Sequence, residues 1–131
     1  MTAELTEEDV ALLREAQLAQ VSTLMANGTP HITPVWVDTD GQAVLFNTAR
    51  GRVKARNLER NPAIAVCVVD RANDHRWVSV RGRAELIDEG ADAHIDRLAK
   101  KYLGVDSYPF WTEGERRVTV RVVPEHRFGE P

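Results

Sequence analysis

Arg50, Arg52, Lys54 and Arg56 place four cationic side chains within seven residues, in the segment Asn47-Thr48-Ala49-Arg50-Gly51-Arg52-Val53-Lys54-Ala55-Arg56-Asn57-Leu58. The segment begins where a strand-like run gives way to a helical pattern. At such a junction an oxyanion meets free backbone N–H groups, a helix N-terminus and cationic side chains together. The whole chain carries a formal charge of -3, so the positive site is local, and a phosphate suits it. Arg52 and Lys54 stand two apart and do not share a helix face. A turn near Gly51 would let both flank one anion, with Arg50 or Arg56 assisting. Without that turn the same residues are a solvated helix surface. Thr48 and Asn47 can each cap the helix or bond the anion. Asn57 is unfavourable inside a helix, which implies a specific side-chain bond, to a bracing strand or backbone group rather than to a ligand.

A second group lies upstream. Pro34-Val35-Trp36 sits within a strand, where proline removes a ladder donor. A strand opened there presents backbone groups to a flat heteroaromatic ring, with Val35 or Trp36 packed beside it. The alternative for Trp36 is the core or an interface. His31 and Thr33 alternate onto the face of Val35, and His31 reaches either a ligand or solvent. Trp77, at the opening of a long strand, is a stacking wall or a packing residue. Trp111 lines an entrance or packs a helix. His31, His75, His94 and His126 lack metal-ligand spacing, so no metal is expected. Cys67 has no second cysteine to pair with, and within Ala65-Val66-Cys67-Val68-Val69 it defaults to a small buried hydrophobe. No Ser/His/Asp order supports a triad, and no side chain is assigned as catalytic.

The secondary structure carrying these groups can be read from the residue pattern. The 131 residues, 43% of them apolar, suit a single domain over 1–131. No apolar run reaches the roughly 18–20 residues of a membrane span, and the acidic start lacks signal-peptide features; a cytoplasmic protein with no membrane partner is expected. The absence of a broad basic face argues against nucleic acid. Thr6 to Asp9 resembles a capping box before a short helix ending near Glu15 or Ala16. Leu18 to Ala26 is a strand, Asn27-Gly28 a hairpin turn, and Pro30 to Val37 the return strand. Gln42 to Asn47 is a third strand. A helix over Arg50 to Arg60 comes next, capped by Thr48 or Asn47. Ala63 to Val69 is an apolar, central strand. Arg76 to Ile87 is a long strand with a bend or bulge near Gly82. Gly90 to Tyr102 is a helix with an Ala91, Ile95, Leu98, Tyr102 stripe. Arg117 to Val123 is a last strand, ended by Pro124. Closing six strands removes the sheet edges, which favours a six-stranded antiparallel barrel with helices outside; an α+β sandwich is the alternative.

The order of motifs also carries a resemblance. Ser22-Thr23, Gly28-Thr29-Pro30-His31, Pro34-Val35-Trp36, Asn47-Thr48, Arg52 to Leu58 and Asn61-Pro62 resemble the pyridoxamine 5'-phosphate oxidase-like split barrels. They are similar in particular to the small actinobacterial branch that uses the deazaflavin coenzyme F420. The resemblance spans Glu8 to about Phe128. It implies a mainly β, FMN-binding-like split barrel with short flanking helices, forming a homodimer with cofactor sites at the interface. It places a phosphate against Asn47, Thr48, Arg52 and Lys54 and a ring along Thr33 to Trp36. Trp77 and the tail near His126-Arg127-Phe128 are candidates for the rim from the other subunit, and Trp36 or Val80 for the interface. The cofactor-binding set is thus His31, Thr33, Pro34, Val35, Trp36, Asn47, Thr48, Arg50, Arg52, Lys54 and Trp77. The chain lacks the longer C-terminal segment of vitamin B6 oxidases. The function implied is an F420H2-dependent reductase passing hydride to a small electron-poor acceptor: an enone, quinone, imine or tetrapyrrole-like compound. The alternatives are an FMN-binding oxidase or reductase of the same superfamily and a non-enzymatic F420 or FMN carrier.

Overall fold

Period-two alternation of apolar residues gives each strand one inward face, and six such strands close on themselves. The computed structural model describes residues 2–129. Its elements are α1 (Glu7–Arg14), β1 (Leu18–Leu24), β2 (Pro30–Thr39), β3 (Val44–Ala49), α2 (Val53–Arg60), β4 (Ala63–Asp70), β5 (Asn73–Ile87), α3 (Ala91–Leu103) and β6 (Arg117–Gly129). All strand pairs are antiparallel, and the closed barrel runs β1-β2-β3-β6-β5-β4. Val21, Val37, Phe46, Val66, Val68, Val78, Val80, Val120 and Val122 fill its interior, and Leu12 and Leu13 of α1 join the same core. The helices therefore lie outside a packed barrel, as expected.

Local chemistry sets the joints. Thr6 and Asp9 form a reciprocal capping box on α1, and both oxygens of Asp9 also accept from Arg127, at 2.7 and 2.8 Å, which ties α1 to β6. Asn27-Gly28 makes the first hairpin, with Gly28 at φ 86°, a conformation glycine adopts without steric cost. The predicted bulge lies where Arg81 faces His126 and Gly82 faces Pro124, leaving Glu125 as the extra residue on β6. A side chain at Gly82 would place its Cβ 1.9 Å from the Val123 carbonyl oxygen, so only glycine fits this crossing.

Four expectations are corrected. α2 begins at Val53, not Arg50, and its N-cap is Arg52 without a side-chain capping bond; Asn47 and Thr48 belong to β3 and cap nothing. β6 does not end at Pro124 but runs to Gly129, because the bulge is a place where a ladder tolerates a missing donor. Cys67 is exposed rather than buried: β4 is paired on both edges, but its odd residues face outward. Val80, offered as an interface residue, is instead 1% exposed inside the barrel.

The barrel opens at one seam. β2 pairs with β1 from Pro30 to Trp36, but with β3 only from Val37 to Thr39, opposite Phe46 to Val44. β3 meanwhile stays paired with β6 as far as Ala49. Pro30 to Trp36 and Asn47 to Ala49 thus each lack a strand partner, among the described residues, on the side where β2 and β3 part. α3 packs against both strands and β6 beside this split. Its anchor is Tyr102, whose hydroxyl donates to the Gln17 carbonyl and accepts from the Val37 N–H. Lys101 donates to the carbonyls of Leu13 and Val37.

Candidate functional site

A cleft of about 330 Å³ occupies the split. Pro34, Val35 and Trp36 of β2 form one wall, Asn47 of β3 and Arg117 of β6 face it, and Arg52 and Lys54 close the end at α2. Ile95 and Leu98 of α3, Leu18, and Tyr108 and Phe110 of the crossover complete the lining. Trp36 stacks on Tyr102 with ring centroids 5.3 Å apart, and Tyr108 meets Trp36 edge-on. The cleft is therefore an aromatic and aliphatic slot with cations at one end.

The cations are arranged by one carboxylate and one amide. Glu115 Oε1 accepts from Arg52 at 2.8 Å and from Arg117 at 2.7 Å. Burial pushes the Glu115 carboxyl up, but the Thr112 N–H and the Arg117 guanidinium outweigh it and hold it below the ordinary range. Arg117 also donates Nε–H to Asn47 Oδ1 at 2.8 Å and lies over the Tyr108 ring at 5.0 Å. An arginine can only donate, so the Asn47 amide must turn its nitrogen the other way, to the Ala91 carbonyl and His94 Nδ1. His94 Nδ1 is then an acceptor, and the ring is neutral with its proton on Nε2. Burial, followed by the nearby Arg97, pushes its pKa down to about 4, which agrees with that state. Lys54 differs from its neighbours: among the described residues it has no acidic partner. Burial lowers its pKa, and the charges of Arg52 and Arg117 lower it further. A desolvated ammonium beside two guanidiniums favours an anion as its partner.

Of the residues singled out by sequence, the structure brings Pro34, Val35, Trp36, Asn47, Arg52 and Lys54 together. Gly51, at φ 91°, supplies the turn that leaves Arg52 outside the helix and Lys54 within it. Thr33 and Thr48 flank the split on β2 and β3, and each has a buried hydroxyl without a partner among the described residues. His31 shares the inward side of β2 with Thr33, half-buried toward the end of the strand. Arg50 is turned away, held by Asp88 and Glu59. Trp77 lies on the outer barrel face beside a different hollow, with Arg76, Arg127 and Asp9. Asn57 braces β1, donating to Thr23 Oγ1 at 3.0 Å. Four other hollows are larger, of about 490, 450, 380 and 370 Å³; in the first two the arginines are already engaged, Arg121 with Asp40 and Arg76 and Arg127 with carboxylates. Sequence reasoning missed Arg117, Glu115, Tyr108 and Phe110, whose positions depend on the crossover returning beside β3.

The chain matches the family described as pyridoxamine 5'-phosphate oxidase over residues 5–129. It belongs to that family. It is 32% identical over 133 residues to the F420H(2)-dependent biliverdin reductase of Mycobacterium tuberculosis (strain CDC 1551 / Oshkosh), covering 98% of this chain and 90% of that protein. Among solved structures it is similar to an F420 reductase, with TM-score 0.81 and 28% identity over 95% of this chain and 98% of that one. It is also similar to HupZ of Group A Streptococcus, with TM-score 0.69 and 28% identity over 95% of this chain and 92% of that one. The split-barrel fold and its homology to F420-dependent reductases are thus established together.

Proposed function

We propose that this family member is an F420-dependent oxidoreductase, acting on a small electron-poor acceptor such as an enone, quinone, imine or tetrapyrrole-like compound. The observation that carries the reading is the half-buried Lys54, without an acidic partner among the described residues, at the end of a slot whose wall is half-paired strand backbone. The residues fit a phosphate-bearing flat ring. Lys54, Arg52 and Arg117 supply the charge for a phosphate. β2 from Pro34 to Trp36 offers backbone groups to a ring edge, while Tyr108, Phe110 and Leu98 give its surroundings apolar and aromatic surface. When bound, the deazaflavin supplies hydride from its C5. The protein's part is to orient two rings in contact and to steady developing negative charge with the cation cluster. Tyr102, pushed up to about 12 by burial and bonded to Gln17 and Val37, is a staple and not a proton source.

The test is anaerobic mixing of the protein and reduced F420 with each acceptor class, monitored by the coenzyme's visible absorbance. Protein-dependent oxidation with one class supports the reading. Tight coenzyme binding with no oxidation by any class would make the protein a carrier instead.

The same reading includes a homodimer. Ala65, Cys67 and Val69 of β4 lie beside Arg81, Ser79 and Trp77 of β5, and Phe128 of β6 is paired opposite Ser79. Val69 and Phe128 are exposed, so the outer barrel carries a small-residue and apolar patch that a second copy would cover. Trp77 stands on that patch and would serve a neighbouring cleft, not its own. Sedimentation equilibrium should give twice 14.7 kDa; a monomer that binds coenzyme at full stoichiometry would contradict a shared site.

A further inference from the structure

The two guanidiniums of the cleft do not hold their positions alone. Both are gripped by a single oxygen of Glu115, whose side chain is 4% exposed. The Thr112 N–H donates to the other oxygen at 3.3 Å, and the Glu115 N–H donates to the Thr112 carbonyl at 3.1 Å. The carboxylate is therefore a fixed part of the cation cluster. Arg52, Lys54 and Arg117 carry three positive charges, and Glu115 cancels one. Any ligand phosphate that bonds the outward N–H groups of Arg52 or Arg117 sits within a few ångströms of that buried negative charge. Each extra unit of negative charge on the ligand is then repelled by Glu115 at short range, which offsets part of its attraction to the three cations.

We propose that Glu115 is a specificity-determining residue for phosphate charge, narrowing the advantage that a doubly charged phosphomonoester would otherwise hold over a singly charged phosphodiester in the cleft. The proposal deepens the F420 reading and rests on it, because F420 carries its phosphate as a diester and FMN as a monoester. Arg52 and Lys54 serve either phosphate, so the discrimination comes from the acid between the arginines. Glutamine at this position keeps an accepting oxygen for both guanidiniums while removing the charge. Aspartate keeps the charge.

The experiment uses the full chain and its Glu115→Gln and Glu115→Asp variants at pH 8. Methyl phosphate, a dianion there, and dimethyl phosphate, a monoanion, are titrated while the Arg117 Nε–H resonance is monitored by NMR. F420 and FMN are titrated in parallel by fluorescence. In Glu115→Gln the affinity ratio of methyl phosphate to dimethyl phosphate should rise at least about tenfold, and the FMN to F420 ratio should rise with it. Glu115→Asp should keep the wild-type preference. A phosphate ratio unchanged within about twofold in folded Glu115→Gln overturns the proposal, as does the absence of any response to either phosphate probe. If the phosphate ratio shifts while neither coenzyme binds, Glu115 has the assigned role and the coenzyme reading fails. The two failures are thereby separate.

Discussion

Lys54→Ala should weaken binding of a phosphate ligand about 10- to 100-fold while leaving the free protein equally stable or slightly more stable. A hydrogen bond to a charged group is worth about 1.5–3 kcal/mol, and every 1.4 kcal/mol is about tenfold in affinity. In the free protein the same ammonium is a liability. Burial disfavours its charge, and Arg52 and Arg117 repel it, with no acid among the described residues to compensate. Removing it relieves that strain, a trade between stability and function common at binding sites. Calorimetric titration with F420 and a melting curve on the same sample test both halves. Unchanged affinity removes Lys54 from the site. A clear loss of melting temperature would mean that its role is packing.

Arg117→Met should destabilise the fold by about 3 kcal/mol and weaken phosphate binding as well. The Arg117 side chain is 3% exposed and paired with a Glu115 side chain 4% exposed. Breaking one partner out of a buried pair costs about 3–5 kcal/mol. The lower end applies because Arg52 keeps its bond to the same carboxylate. Asn47 Oδ1 also loses its donor, which frees the amide to turn away from His94. For a chain of this length the loss corresponds to roughly 10 °C in melting temperature. Arg117→Lys is the control: it retains charge but cannot fork between Asn47 and Glu115, so it should recover part of the stability at most. Near wild-type melting for Arg117→Met would show that the Glu115 carboxylate is satisfied without it.

The elements were legible because each depended on nearby residues. Asn27-Gly28 announces its own hairpin, Thr6 and Asp9 their own cap, and the Ala91, Ile95, Leu98, Tyr102 stripe its own helix. Errors arose where local signals met a longer-range constraint. Pro124 reads as a strand end, yet the bulge opposite Gly82 carries β6 through it. The apolar run around Cys67 reads as a strand covered on both faces, yet closure gives β4 an outside. The same division holds at the cleft. Arg52, Lys54 and Asn47 come from one contiguous segment, and Pro34 to Trp36 announce themselves by a proline in a strand. Glu115 and Arg117 reach Arg52 and Asn47 from more than sixty residues away, and nothing in the run Glu115-Arg116-Arg117 distinguishes a buried clamp from a solvated strand start.

A strand with one unpaired edge is a hazard as well as an opportunity, since it invites an extended segment of another chain to add to the sheet. β2 carries such an edge from Pro30 to Trp36, in a barrel that is otherwise closed. Two features blunt it. Pro34 withholds a donor in the middle of the exposed run, and α3, pinned to Gln17 and Val37 through Tyr102, is held beside the opening. The split is thus closed to an added β-strand, and guarding the opened sheet against self-association falls to the same helix that lines the cleft.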